Sequence, residues 1–203
     1  MDHLAPELRE LVQQSVRVLG EVIRREIGDD GYARVESLRA SMADLRKVTR
    51  EQSYAKLKME LKALEGLSRN SRMDLARAFT LMLELMNTCE NAYRSFRIGR
   101  RTLELPEGRP ESIVYVLTAH PTEARSPENI AVFHVIIELL TRVVSRSPVR
   151  FSEMELQSLR HALEIAWRTP IVRDRKPRVQ DEADHIYSTF LRDETLTTIL
   201  ASA

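Results

Sequence analysis

Apolar residues recur at steps of three and four through almost the whole chain, which is the spacing of one face of an α-helix. The pattern begins at Pro6, a residue that suits a helix start, and the glycine-bounded residues 28–31 interrupt it. It returns, and is therefore assigned to further helices, over residues 35–45, 50–67, 73–96, 130–144, 152–167 and 181–200. We therefore predict a mainly α protein of about seven helices.

One short run departs from the helical spacing. Residues 113–117 read IVYVL, which is rich in β-formers and predicts a single short strand just before His120. A lone strand leaves backbone donors and acceptors unpaired, so either it pairs with something outside these residues or the chain is a segment of a larger fold. We accordingly divide the chain into an N-terminal helical region (1–98), a linker (99–111) and a strand with following helices (112–203), all one fragment of a larger domain.

Composition excludes several classes of function. Lysine and arginine total 31 against 30 acidic residues, so the chain has no overall charge that would favour nucleic acid. Its only cysteine, Cys89, rules out an internal disulfide and is predicted to be a small core residue. The longest apolar run, residues 131–140, is far shorter than the roughly 20 residues that span a bilayer. With no apolar leader at the N-terminus, a cytoplasmic protein without a membrane segment is expected.

His120 is the histidine whose setting looks catalytic. It follows the predicted strand and precedes Pro121, and strand ends are where α/β enzymes place reactive side chains. A histidine there can exchange a proton at neutral pH or hold an anion as imidazolium. From the residues alone, a histidine that merely caps a strand turn is an equal alternative. His134 and His161 fall in helical patterns and are predicted to be satisfied or surface residues.

No metal site is predicted within this chain. Of the carboxylates Glu123, Glu128 and Asp181-Glu182, only Asp181 lies four residues from a histidine, His185, and no second such pair among these carboxylates accompanies it. Met82 and Met86 lie four residues apart on one helical face, but methionine commonly fills irregular helix contacts. We predict that these two methionines fill the core.

The motif around His120 resembles that of a known family. Residues 116–123 read VLTAHPTE, which is similar to the TAHPT motif of the bacterial and plant type of phosphoenolpyruvate carboxylase. Residues 167–183 resemble, without a gap, the family stretch W-x-T-D-E-I-R-x-x-x-P-x-x-x-D-E-A. Residues 15–20, 35–39 and 76–90 are similar to the family's N-terminal helices. The resemblance thus covers almost the whole chain in order.

The resemblance implies a fold and a reaction. Family members add bicarbonate to phosphoenolpyruvate to give oxaloacetate and phosphate, with Mg²⁺ or Mn²⁺. They use a helix-rich (β/α)8 barrel and assemble as tetramers. His120 matches the catalytic histidine, which is implied to accept a proton and stabilise anions during carboxylation. Substrate-binding residues are not identified beyond one candidate, Arg125, and the metal ligands are expected outside this chain.

The sequence departs from the family pattern at two places. Ser126-Pro127 stands where the family has a pair of arginines, with Arg125 displaced by one position. Pro170-Ile171 stands where the family has two carboxylates. The first departure removes cations near anionic ligands, and the second removes ion-pair partners.

Length leaves two hypotheses open. The family's M-G-G-D-R-D-G-N-P loop, phosphate-binding loops and metal-binding carboxylates have no match here. The chain is therefore predicted to be an N-terminal segment of such a carboxylase, inactive alone and associated with copies of itself or with the remainder of the enzyme. The alternative is a non-catalytic helical interaction module derived from the family.

Overall fold

The computed structural model describes residues 5–99 and 125–173. These residues form five α-helices, which are α1 (Pro6–Asp44), α2 (Arg50–Glu65), α3 (Arg69–Gly99), α4 (Pro127–Val144) and α5 (Glu153–Arg168), with a 3₁₀ turn at Leu45–Lys47. Within the described part the only β pairing is one isolated bridge, Arg125–Val172. The mainly α prediction is confirmed. The predicted strand at 113–117 and the predicted helix at 181–200 lie outside the described residues.

Helix α1 bends sharply at Gly28. This residue has φ 73° and ψ 174°, a backbone conformation almost restricted to glycine. Residues 20 and 32 would lie about 18 Å apart in a straight helix, yet Tyr32 packs against Gly20, with its hydroxyl 3.3 Å from the position of a Cβ there. The second arm of α1 therefore folds back towards the first. The predicted break at 28–31 is confirmed in place but is one residue wide, because Asp29, Asp30 and Gly31 are already helical.

Four of the helices share one core. Helix α1 packs on α3, α3 on α4, α4 on α5, and α5 returns to α1. Cys89 is fully buried, as predicted, and burial raises the pKa of its thiol to about 11. The largest fully buried side chains are aliphatic: Leu11, Leu19, Leu81, Leu85, Ile136, Leu140, Leu159 and Leu163. Of the described helices, none is both long and apolar enough to cross a membrane.

Polar contacts align α5 with α1. Three ion pairs join the helices in parallel order, Arg160–Glu21 and Arg168–Glu26 at 2.7 Å and Arg25–Glu164 at 2.5 Å. The steps of four residues along α5 place its three charged side chains on one face. These pairs fix the end of α5 beside the bend in α1.

Helix α2 touches this core only near its end, where Leu64 is partly buried against it. It buries none of its residues, although it begins with a capping box formed by Thr49 and Gln52. Its apolar side chains are largely exposed, with Tyr54 at 72% and Leu61 at 53%. Polar contacts attach it to the preceding turn, among them the Ser53 hydroxyl, which donates to the Leu45 carbonyl at 3.0 Å.

Candidate functional site

The residues that follow the histidine motif are fixed to the residues that follow α5. Arg125 and Val172 form an antiparallel bridge. The Ser126 N–H donates to the Ile171 carbonyl at 3.2 Å, and Arg173 Nε donates to the Arg125 carbonyl at 3.3 Å. We call this contact, between residues 125–126 and 170–173, the joint. It closes the α4–α5 hairpin at its open end.

Ser126 connects the joint to α4. Its side chain is the N-cap of α4 and accepts the N–H of Asn129 at 3.1 Å, with Pro127 in the first turn. The same hydroxyl donates to the Pro170 carbonyl at 2.5 Å. Ser126 is only 4% exposed, and its hydroxyl both donates and accepts a hydrogen bond. Asn129 is 2% exposed, and its Nδ2 makes no hydrogen bond with the described residues.

The side chain of Arg125 reaches across to α3. Its Nη1 donates to Glu84 Oε1 at 2.5 Å, and its Nη2 donates to Glu84 Oε2. The arginine side chain is 37% exposed and the carboxylate 16% exposed. A bidentate guanidinium–carboxylate pair has charge-assisted hydrogen bonds and a fixed geometry. Glu84 therefore both neutralises and orients Arg125. The role of Arg125 in substrate binding stays a prediction.

The second matching stretch is anchored to α3 as well. Arg77 Nη1 donates to the Trp167 carbonyl at 2.6 Å, and its guanidinium lies 5.8 Å from the centroid of the Trp167 ring. The ring is 6% exposed, so it is both a core residue and a cation–π partner. Thr169 then ends α5, with its hydroxyl donating to the Ile165 carbonyl at 2.7 Å. These contacts fix residues 167–169, which lead directly into the joint.

The joint brings together the two places where the sequence departs from the family pattern. Position 126 contacts positions 170 and 171 directly, through one hydroxyl, one N–H and two carbonyls. None of the groups in this contact is charged. No local signal in the sequence predicts this contact, because 44 residues separate Ser126 from Pro170.

The other predicted site residues are not brought together. His120, Glu123 and Asp181-Glu182 lie outside the described residues. His134 Nε2 is 3.4 Å from Glu138 Oε1 on the same helix, and His161 is exposed. Among residues 5–99 and 125–173, no group of three or more histidine, cysteine, aspartate or glutamate side chains is placed to hold a metal ion.

The described helices and the joint define a helix-rich segment in which the residues that follow the histidine motif contact the second matching stretch. The family model described as phosphoenolpyruvate carboxylase matches residues 8–113 and 108–200. The chain therefore belongs to the phosphoenolpyruvate carboxylase family.

Curated relatives agree with this assignment. The phosphoenolpyruvate carboxylase of Alcanivorax borkumensis is 30% identical, over 93% of this chain and 24% of that protein. Those of Hahella chejuensis and an Enterobacter species are each 29% identical, over 90% and 87% of this chain and 23% and 22% of theirs. The chain thus spans about a quarter of the length of these relatives. No solved structure matches it.

Proposed function

We propose that this chain is a working part of a phosphoenolpyruvate carboxylase and supplies the catalytic histidine, His120. The observation that carries the proposal is the family match over most of the chain together with the sequence VLTAHPTE at residues 116–123. The proposal includes a cytoplasmic location, completion of a (β/α)8 barrel by polypeptide beyond these residues, and assembly as a homo-oligomer.

The proposed reaction has two stages. A bicarbonate oxygen attacks the phosphorus of phosphoenolpyruvate, the phosphorus–enol oxygen bond breaks, and carboxyphosphate and the enolate of pyruvate form. Carboxyphosphate then releases carbon dioxide and phosphate, and the enolate carbon captures the carbon dioxide to give oxaloacetate. His120 accepts the bicarbonate-derived proton and, as imidazolium, stabilises the anions, a role that suits a side chain titrating near neutral pH.

In this proposal the joint holds the chain that leaves the histidine motif. Arg125 lies five residues after His120 and is tied to α3 by Glu84 and to the end of α5 by backbone hydrogen bonds. Such supports matter because a shift of about 1 Å in a catalytic group can cost two orders of magnitude in rate. Arg125 remains the candidate substrate ligand, and its partly exposed guanidinium would meet an anion while paired with Glu84.

The described residues do not form a binding site for the divalent metal ion that the family implies. When bound, such an ion stabilises negative charge on phosphate and enolate oxygens. The described residues offer no cluster of ligands for it, so we assign it no step and place its ligands in the rest of the enzyme.

A chimeric enzyme tests the proposal. The matching quarter of the Hahella chejuensis enzyme is replaced by this chain, and oxaloacetate is followed through malate dehydrogenase and NADH. We expect turnover by the chimera and none by this chain alone. His120→Asn should lower turnover by a factor of 10² to 10⁴, the usual range for losing a general acid–base group. The matched control His134→Asn alters a histidine that the structure places on α4, beside Glu138, and should leave turnover within about twofold.

Two outcomes would contradict this proposal. Turnover that survives His120→Asn would remove the histidine from the mechanism. A folded, correctly assembled chimera without turnover would instead favour the alternative, a non-catalytic helical interaction module. The exposed apolar side chains of α2 are the observation that favours this second function, since such surfaces commonly mark contact sites.

A further inference from the structure

Helix α2 carries an exposed apolar stripe. Tyr54, Leu57 and Leu61 recur at steps of three and four, so they lie on one face of the helix. Their exposed fractions are 72%, 39% and 53%. We call these three residues the α2 stripe. Apolar surfaces of this kind commonly mark contact sites.

Charged residues of opposite sign lie at the two ends of the α2 stripe. Arg50 comes four residues before the stripe begins and Glu65 four residues after it ends, so both extend the same face. Glu51 and Lys62 lie on one flank of that face. All four side chains are exposed, and among the residues that the structure describes they have no ion-pair or hydrogen-bond partner.

The order of the residues along the α2 stripe is self-complementary. Two copies of α2 can lie antiparallel about a two-fold axis that passes between residues 57 and 58. In that arrangement Arg50 of each copy faces Glu65 of the other. Tyr54 of each copy likewise faces Leu61 of the other. Because a two-fold axis makes every contact occur twice, apolar side chains meet in the middle and opposite charges meet at both ends.

The flanking charges favour the same direction. In the antiparallel arrangement Glu51 of one copy lies within two residues, about 3 Å along the axis, of the position facing Lys62 of the other. A parallel arrangement would instead place each charged residue beside its own copy, and like charges repel. Charge complementarity therefore identifies a second, antiparallel copy of α2 as the occupant of the stripe.

A hollow at the N-terminal half of the α2 stripe fits this arrangement. Its volume is about 540 Å³, and it is lined by Leu45, Arg50, Glu51, Ser53, Tyr54 and Leu57. Leu61 of the second copy faces Tyr54, so its side chain is the one that enters the hollow. The two-fold axis repeats this contact, and each copy thus fills the hollow of the other.

The size of the contact limits its strength. Helix α2 has 16 residues, so the contact is about 24 Å long and about 10 Å wide. Such an area lies well below the roughly 1,200 Å² under which protein contacts are weak. Lys58, an exposed residue at the centre, also faces its own copy across the axis. We therefore expect association that depends on protein concentration and on salt.

We propose that the α2 stripe binds the same surface of a second copy of this chain, with the two α2 helices antiparallel and Tyr54 of each copy against Leu61 of the other. The contact supplies one interface for the homo-oligomer of the proposed function, and in that respect it rests on that function. Association is measured without turnover. A failure of this contact and a failure of the carboxylase proposal are therefore distinguishable.

Two complementary charge reversals in the full chain test the pairing. Arg50→Glu and Glu65→Arg each place like charges at both ends of the contact, so each variant alone should dissociate at least about tenfold more readily. In an equimolar mixture every reversed charge faces an opposite one, and the dissociation constant should return to within about threefold of the wild type. Sedimentation equilibrium up to about 1 mM measures these constants. The control Arg142→Glu, exposed on α4, should change the constant by less than about twofold.

Replacing a leucine tests the apolar part of the contact. Leu61→Ala empties both hollows and should weaken association at least about tenfold, because the change occurs twice in the dimer. The matched control Leu83→Ala removes a leucine that is 58% exposed on α3 and should change the dissociation constant by less than about twofold. Equal effects of the two replacements would overturn the proposal.

Disulfide trapping tests the direction of the pair. A chain with Tyr54→Cys is mixed with a chain that carries Leu61→Cys under mild oxidation, and peptide mapping identifies the products. Like positions are about 10 Å apart along the antiparallel pair, so we expect the 54–61 disulfide between chains to form at least about tenfold faster than the 54–54 disulfide. Cys89 is fully buried and should not react.

Three further results would overturn the proposal. The first is a chain that stays monomeric up to about 1 mM. The second is a dimer whose dissociation constant the α2 variants do not change, or charge reversals that do not recover on mixing. The third is a 54–54 disulfide that forms faster than the 54–61 disulfide, which would indicate a parallel pair.

Discussion

Helices α2 and α5 begin alike and end differently. Each has 16 residues and starts with a capping box, Thr49 with Gln52 in α2 and Ser152 with Glu155 in α5. Yet α2 buries no residue, whereas α5 buries five, Leu159, Ala162, Leu163, Ala166 and Trp167. The same capping signal thus begins one helix that is part of the core and one that lies on the surface.

The difference lies in what each helix faces. Helix α5 has α4 on one side and α1 on another, and three ion pairs set its register against α1. Helix α2 has only the preceding 3₁₀ turn as a substantial neighbour. Because most helix stability in proteins comes from packing an apolar face, we expect α5 to unfold with the whole molecule and α2 to open alone.

The sharpest test of this contrast is to replace one leucine by alanine in each helix. Leu163 is fully buried in α5, so Leu163→Ala should lower the free energy of unfolding by about 2–5 kcal/mol. Leu61 is 53% exposed in α2, so Leu61→Ala should cost less than about 0.5 kcal/mol. Urea titration of the two variants measures both values. Equal losses would mean that α2 is packed as tightly as α5.

Replacing the helix caps should cost less stability than replacing the leucines, and the cost should again be larger for α5 than for α2. Ser152→Ala removes the N-cap of α5 and should cost about 1 kcal/mol of global stability. Thr49→Ala removes the cap of α2 and should leave the urea midpoint unchanged while amide hydrogens of α2 exchange faster. Hydrogen exchange resolved by residue separates the two cases. A shift of the global midpoint in Thr49→Ala would argue against independent opening of α2.

The cap of α5 also makes stability depend on pH. Hydrogen bonds from Arg146 and then Ser152 lower the pKa of Glu155 to about 2, from an ordinary value of 4.5. Because the folded state favours the ionised form, this contribution is complete above pH 4.5 and is lost as the pH falls towards 2. The stability difference between the wild type and Glu155→Gln should therefore be largest at neutral pH and shrink below pH 4.5. A difference that stays constant down to pH 2.5 would rule out Glu155 as the source.

Breaking an ion pair should lower the free energy of unfolding the least. Glu164 is 20% exposed and pairs with Arg25 across α5 and α1, so Glu164→Gln should cost about 0.2–1 kcal/mol and less in 1 M salt. Lys56 lies 3.9 Å from Asp44 beside α2, and Lys56→Gln should have no measurable effect on global unfolding. Thermal melts at two salt concentrations compare the variants. A larger loss for Lys56→Gln would reverse the contrast between the helices.

Much of the described fold follows from local sequence. The helical spacing and the break at residues 28–31 both predict features that the structure confirms. The packing of these helices does not follow in the same way. The apolar stripe of α5 is much more sharply separated from its polar face than that of α2, so the sequence favours burial of α5, but the partners that bury it are distant residues that no spacing rule identifies.

The candidate site shows the same limit. The histidine motif and the second matching stretch are visible in the sequence, and the catalytic role of His120 stays a prediction. The pairing of Arg125 with Glu84 spans 41 residues and depends on where α3 passes, which no spacing rule predicts. The open apolar surface between the two arms of α1 and α3 likewise follows from the fold-back of α1, whereas the sequence predicts only a core role for Met82 and Met86, which line it.

The bend at Gly28 also has a consequence of handedness. Nothing lies within 4 Å of the position of a Cβ there, so the site forbids an L-alanine through backbone strain and not through lack of space. A φ of 73° with a ψ of 174° is the mirror image of an extended conformation that L-residues adopt freely. A D-alanine at position 28 would therefore fit without strain and would restrict the unfolded chain more than glycine does. A single D-residue at this bend would therefore stabilise a fold whose described helices are right-handed.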